Sequence, residues 1–220
     1  MVEETQGSMD PHRNQPIEQA GANLKDAPAA MIMVHGRGAT AQSILGLRSQ
    51  LERPRLSLLA PQAARRTWYP HSFLAPIEAN QPYLDSALRR LSDTVKEVRD
   101  AGITKERLLL LGFSQGACLT LEFAARNPER YGGIIAFTGG LIGPEGTQRD
   151  YDGNFEVTPV FIGSSNPDPH VPVSRVEETA QILESLGAKV TTELYPGMAH
   201  TINQDEIRHA QVIIDDVLTD

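Results

Sequence analysis

The chain has a single cysteine in 220 residues. One thiol, Cys118, excludes an intrachain disulfide and a thiolate-built metal cluster. It falls on an apolar stretch and reads as a small buried hydrophobe rather than a reactive thiol. Also lacking is any apolar run long enough to span a bilayer. The start, "MVEETQGSMDPHRNQP", has neither the basic end nor the apolar core of a secretion signal, so the expected compartment is cytoplasmic. Positive charge is in deficit. Lys and Arg number 20 against 28 Asp and Glu, a formal net charge of −8, which speaks against binding nucleic acid. The acidic residues are scattered and read as a solvated surface, not as a partner site. Internal repeats and linkers are absent too, so the length suits one domain over residues 15–220, behind an expected disordered tail at 1–14.

What is present is alternation. Short apolar runs in "AMIMVHGRG", "RLSLLAP", "RLLLLGF", "GIIAFTG", "PVFIGSS" and "KVTTELYPG" read as strands, with "PIEQAG" as an edge strand. Between them lie helical patterns near Gln42–Glu52, Tyr83–Asp100, Ala117–Arg126, "VSRVEETAQILESLG" and "QDEIRHAQVIIDDVL". Tyr83–Asp100 carries Leu84, Leu88, Leu91, Val95 and Val98 on one face. The pattern predicts an α/β fold: a doubly wound, mostly parallel sheet with helices on both faces. In such sheets function gathers at the carboxyl ends of the strands.

One such end holds Gly112-Phe113-Ser114-Gln115-Gly116, the G-x-S-x-G pattern in its required strand-turn-helix context. Serine needs a general base, oriented in turn by a third group. Asp168, after "PVFIGSS", stands where that third group belongs, although a residue between two prolines also suits a plain turn. Asp150 and Asp152 lie earlier, in an irregular polar stretch from Gly139 to Val157, and read as solvated. His200 follows the last strand in "YPGMAH" and is the expected base. His170 is too near Asp168 for that task but lines the site, and His209 reads as solvated within the last helix. The oxyanion needs two preorganised donors. These are assigned to the backbone N–H of Gln115 and, from the loop "HGRG", of Arg37. The Arg37 side chain fits a rim salt bridge or a substrate contact equally well, and His35 reads as a structural hydrogen-bonder. Aromatics make up only 5% of the chain, yet Trp68, Tyr69 and Phe73 share one loop. That loop is the expected acyl-binding wall, with Trp68→Ala raising KM more than it lowers Tm.

The segments "HGRG", "WYPHSF", "GFSQGACLTLEFA", "DPHVPV" and "YPGMAHTI", in this order, make the chain resemble the phospholipase/carboxylesterase family of α/β-hydrolases, relatives of acyl-protein thioesterases. The resemblance implies the α/β-hydrolase fold, Ser114, Asp168 and His200 as catalytic residues, and Arg37 and Gln115 as oxyanion donors. Thioesterase-type members carry Gly-Asp where this chain has Gly38-Ala39, and an acidic residue where it has Pro70. The closer likeness is to a small bacterial esterase-like branch. The expected activity is cleavage of short-to-medium acyl carboxylic esters through an acyl-enzyme, on a small-molecule substrate and with no metal or organic cofactor. The alternatives are a lysophospholipase, an acyl-thioesterase or a noncatalytic binding protein of this fold. A homodimer is compatible with the sequence but not derivable from it.

Overall fold

The computed structural model describes residues 10–219. In chain order the elements are β1 (Ile17–Gly21), β2 (Ala29–Val34), α1 (Ala41–Leu45), α2 (Arg48–Leu51), β3 (Leu56–Pro61), α3 (Tyr83–Asp100) and β4 (Leu108–Phe113). They continue with α4 (Gln115–Arg126), β5 (Gly133–Phe137), β6 (Pro159–Asn166), α5 (Val173–Ser185), β7 (Lys189–Pro196) and α6 (Gln204–Thr219). The strands form one sheet in the order β1-β3-β2-β4-β5-β6-β7. Only the edge strand β1 runs antiparallel, pairing Gln19 with Leu59.

Period-two alternation builds both layers of core from the same strands. In β2, Ala30, Ile32 and Val34 face the cluster under α3, α4 and α5. Ala29, Met31 and Met33 face the opposite cluster, under α1, α2 and α6. Each large side chain buried this way contributes about 1.5–3 kcal/mol of transfer free energy. Because both faces are covered, β2, β3 and β5 are buried throughout and read as continuous apolar runs.

The strand order reverses at β2. From β2 the chain moves outward to β3, then crosses back to place β4 on the other flank of β2. Crevices open at such switch points, outside the carboxyl ends of the two strands. Here those ends are the Gly36–Gly38 loop and Ser114, and the register pairs Val34 with Gly112.

Two expectations need revising. The helix near Gln42–Glu52 is two short ones, since Gly46 and Leu47 separate α1 from α2. Residues 10–14, expected in the disordered tail, form a turn packed on the domain. His12 is fully buried, its N–H donating to Ser86 Oγ at 2.9 Å, while Arg89 reaches Asp10 at 3.3 Å. No apolar run announces this anchor, because it is made of polar contacts; the tail's first nine residues lie outside the described ones. The stretch after β5 is irregular as expected, and side chains hold its start. Arg175 donates to Leu141 O at 2.8 Å and Gly143 O at 2.6 Å, and Glu122 accepts from Ile142 N–H at 3.0 Å. No helix among the described residues is long and apolar enough to cross a membrane.

Candidate active site

Ser114 sits between β4 and α4 with φ 55° and ψ −118°. A non-glycine residue held there is strained, and such strain persists only where the surroundings fix it. Its flanking glycines supply the fixing by close approach. A Cβ on Gly112 would lie 2.4 Å from Gly116 O, and one on Gly116 only 2.1 Å from Val34 O. The G-x-S-x-G spacing is therefore a steric requirement: β4, α4 and β2 meet with no room for a methyl group.

His200 leaves β7 on the loop before α6 and brings its Nε2 to 2.9 Å from Ser114 Oγ. Its Nδ1 lies 2.8 Å from Asp168 Oδ2. With Nδ1–H donating to the carboxylate, Nε2 is free to accept the serine proton. The imidazole packs against the Phe113 ring at 5.3 Å and edge-on to His170 at 5.0 Å. The Asp168 carboxylate is enclosed, its side chain 0% exposed. Burial would raise its pKa, but hydrogen bonds from His200, Ser165 and the His170 and Val171 N–H groups outweigh that and bring it to about 2. It is thus ionised throughout the neutral range.

Among the described residues, neither the Arg37 nor the Gln115 N–H donates to a protein acceptor. Both residues border the Ser114 cleft. The cleft encloses about 740 Å³, and Tyr69, Phe73, Leu74, Phe113 and Val171 give it an apolar wall. Cys118 forms part of its floor; burial pushes that thiol up to about 12, leaving it protonated and inert. Among the described residues no group of three or more His, Cys, Asp or Glu side chains is placed to hold a metal ion.

The expected wall is corrected at one position. Tyr69 and Phe73 line the cleft, but Trp68 does not. Its indole is fully buried beside the rings of His12 and His35, and Nε1–H donates to His35 O at 2.8 Å. Tyr69 is buried too, but it borders the cleft. His35 accepts the Ala63 N–H at 3.1 Å and bonds Gly36 O at 2.8 Å through its other nitrogen, a backbone-holding role. His209 is not simply solvated, since it stacks on Phe161 at 4.4 Å. Asp150 and Asp152 are exposed. Among the described residues the Arg37 guanidinium makes no salt bridge; it donates to Pro70 O at 2.8 Å and His71 O at 2.5 Å.

Sequence reading overlooked four positioning residues. The Gln115 side chain accepts from Trp68 N–H at 3.0 Å and donates to Tyr69 O at 2.8 Å. Asn80, fully buried, accepts from His71 N–H at 2.8 Å and donates to Ser72 O at 3.0 Å. His12 accepts the Ala64 N–H at 3.0 Å and bonds Trp68 O at 2.9 Å. Ser165 donates to Asp168 at 2.7 Å. Only Ser165 carried a signal, its place three residues before the acid.

Known proteins share this arrangement of elements. A Dyadobacter fermentans protein solved as a phospholipase/carboxylesterase is 48% identical, with a TM-score of 0.89 over 96% of this chain and 100% of that one. The Bacillus cereus carboxylesterase has the same fold, with a TM-score of 0.71 at 17% identity over 93% of this chain and 95% of its own. Acyl-protein thioesterase 1 of Debaryomyces hansenii is 28% identical over 228 residues, 92% of this chain and 97% of that protein. The phospholipase/carboxylesterase family model matches residues 17–218. With that match running from β1 into α6, the chain belongs to the phospholipase/carboxylesterase family, the esterase and thioesterase hydrolases of the α/β-hydrolase fold.

Proposed function

We propose that the chain is a serine hydrolase that cleaves short-to-medium acyl carboxylic esters through an acyl-enzyme. The observation that carries this reading is the hydrogen-bonded series Ser114 Oγ, His200, Asp168, at 2.9 and 2.8 Å. Ser114 Oγ attacks the ester carbonyl carbon while His200 Nε2 takes its proton. The carbonyl oxygen becomes an oxyanion facing the N–H groups of Arg37 and Gln115. Asp168, ionised and enclosed, fixes the tautomer and stabilises the imidazolium. Collapse of the tetrahedral intermediate breaks the bond to the alkoxy oxygen, which leaves with the proton from His200. Water, deprotonated by the same imidazole, then attacks the acyl-serine, and the carboxylic acid departs with Ser114 restored.

Tyr69, Phe73, Leu74 and Val171 offer the acyl chain an apolar surface of modest extent. With residues 141–143 pinned by Arg175 and Glu122, no large lid among the described residues closes over it, which suits soluble esters better than emulsified fats. The Debaryomyces relative supports a second reading, acyl-thioester hydrolysis by the same triad.

Fluorophosphonate labelling with peptide mapping tests the mechanism: the label should sit on Ser114 and be absent from His200→Gln. Matched oxygen esters and thioesters of rising acyl length decide the substrate. Failure to label Ser114 in folded protein would remove the serine mechanism. Better turnover of every thioester would favour the second reading.

A further inference from the structure

We propose that Glu206 is a positioning residue for His200: its buried carboxyl holds the end of the loop that carries the base against β6, the strand that delivers Asp168. This inference rests on the reading of His200 as the general base.

His200 and Asp168 approach to 2.8 Å from two different loops, one after β7 and one after β6. Each loop needs its own hold. The Asp168 carboxylate has one in Ser165 and the His170 and Val171 N–H groups. The His200 loop is held upstream, where Gly197 N–H donates to Asn166 O at 3.0 Å and Met198 N–H to Tyr195 O at 3.4 Å. Two further bonds, Thr201 N–H to Ala199 O and Asn203 Nδ2 to Met198 Sδ, stay inside the loop. Among the described residues, the first hydrogen bond past His200 that reaches another element is Asn203 N–H to Glu206 Oε2, at 2.8 Å. In return the Asn203 side chain accepts the Asp205 and Glu206 N–H groups at 2.8 and 2.9 Å, a capping box at the start of α6.

A capping box alone is an ordinary helix start, like the one Thr40 and Ser43 make on the surface at α1. Glu206 differs in two respects. It is fully buried, and its Oε1 is the one buried carboxylate oxygen without a hydrogen-bond partner among the described residues. Burying a carboxyl with one oxygen unpaired is unfavourable, and an apolar side chain would fill the same space without that penalty. What the carboxyl adds is the bond to Asn203 N–H. The strand β6 also makes room for it. A Cβ on Gly163 would collide with Glu206 Oε1 and stand 2.8 Å from its Cγ and 3.0 Å from its Cδ. Gly163 lies two residues before Ser165, which donates to Asp168. A single side chain thus touches the support of both His200 and Asp168.

The test uses the full chain and p-nitrophenyl butyrate. In Glu206→Ala, kcat should fall about ten- to a hundredfold while KM stays within about twofold, because a displaced base weakens the transition state and not substrate binding. Glu206→Gln keeps an oxygen for Asn203 N–H and should return kcat to within about threefold of wild type. Gly163→Ala pushes the carboxyl from its seat and should lower kcat as well. Added to Glu206→Ala, where the seat is empty, it should lower kcat little further. A Glu206→Ala enzyme with wild-type kcat and a reduced Tm overturns the proposal and leaves a helix cap only. So does a kcat loss that Gln does not restore, or one that Gly163→Ala repeats in full on top of Glu206→Ala. If Glu206→Ala does not fold, Gly163→Ala decides alone, and an unchanged kcat overturns the proposal. Wild-type protein that fails to label at Ser114, or a His200→Gln variant with full turnover, removes the underlying reading and this inference with it.

Discussion

The elbow around Ser114 and the wall from Ala63 to Phe73 border one cleft and are held by opposite means. The elbow is fixed by missing atoms: Gly112 and Gly116 let three backbone segments meet where a methyl group would collide. The wall is fixed by side chains arriving from elsewhere. His35, His12, Gln115, Arg37 and Asn80 take up its backbone N–H and C=O groups almost one after another. A loop without sheet or helix partners must satisfy those groups somehow, and here polar side chains from distant positions do so. Damage to the elbow should therefore be steric and local. Damage to the wall should be polar and shared among distant positions.

The largest expected effect touches neither frame. Ser114→Ala removes the nucleophile and leaves both glycines in place. Ester turnover should fall by about a thousandfold or more at unchanged Tm, checked by steady-state kinetics and thermal melting. Trp68→Ala strikes the wall from behind. Emptying a fully buried indole site and orphaning His35 O should cost about 3–5 kcal/mol, read from urea unfolding. Here the sequence-based expectation is reversed, and a variant with altered KM but wild-type stability would return Trp68 to the acyl site. Gly116→Ala strikes the elbow. The nearest atoms to its Cβ are all backbone, Val34 O at 2.1 Å and Val34 C and His35 O at 2.6 Å. Stability should drop by about 1–3 kcal/mol and turnover should fall further than stability explains, since Gln115 N–H shifts with the turn.

The smallest effect is graded with pH and separates the two regions again. Burial holds the His12 and His35 imidazoles below their ordinary value of 6.5. The unfolded chain takes up these protons near that value and the native wall refuses them. Stability is then full above about pH 6.5 and declines below it, by at most about 1.4 kcal/mol per pH unit for each group. Asp168 works in a lower window. Its carboxylate, held at about 2 against an ordinary 3.8, adds stability above 3.8 that is lost as pH falls toward 2. Urea midpoints that stay level from about pH 7 to 5 would rule out the neutral-imidazole account of the wall.

The same contrast governs what could be read without coordinates. Strand and helix order was legible because it rests on short-range periodicity, and α3 begins and ends at Tyr83 and Asp100 as its apolar stripe implies. The elbow was legible because its whole demand fits within five consecutive residues. Asp168 and His200 were nameable from their places after β6 and β7, with His170 set aside for its nearness to Asp168. The wall was opaque. Its fasteners sit at positions 12, 35, 37, 80 and 115, and no spacing rule links them. Trp68 was misassigned for a related reason. An aromatic cluster announces burial, but which ring borders the cleft depends on how the loop is pinned.

The close approach of Gly112 and Gly116 also bears on how such a domain changes over evolutionary time. Exchanging the residue at 114 alters one side chain facing His200 and the cleft, while the backbone around it stays where it is. Adding a carbon at 112 or 116 displaces strands and a helix together. Position 114 and the loops are thus the cheap coordinates of divergence, and the glycine frame is the expensive one. A lineage can exchange its nucleophile, or lose it and keep a binding protein, long before it can abandon the turn that presents it.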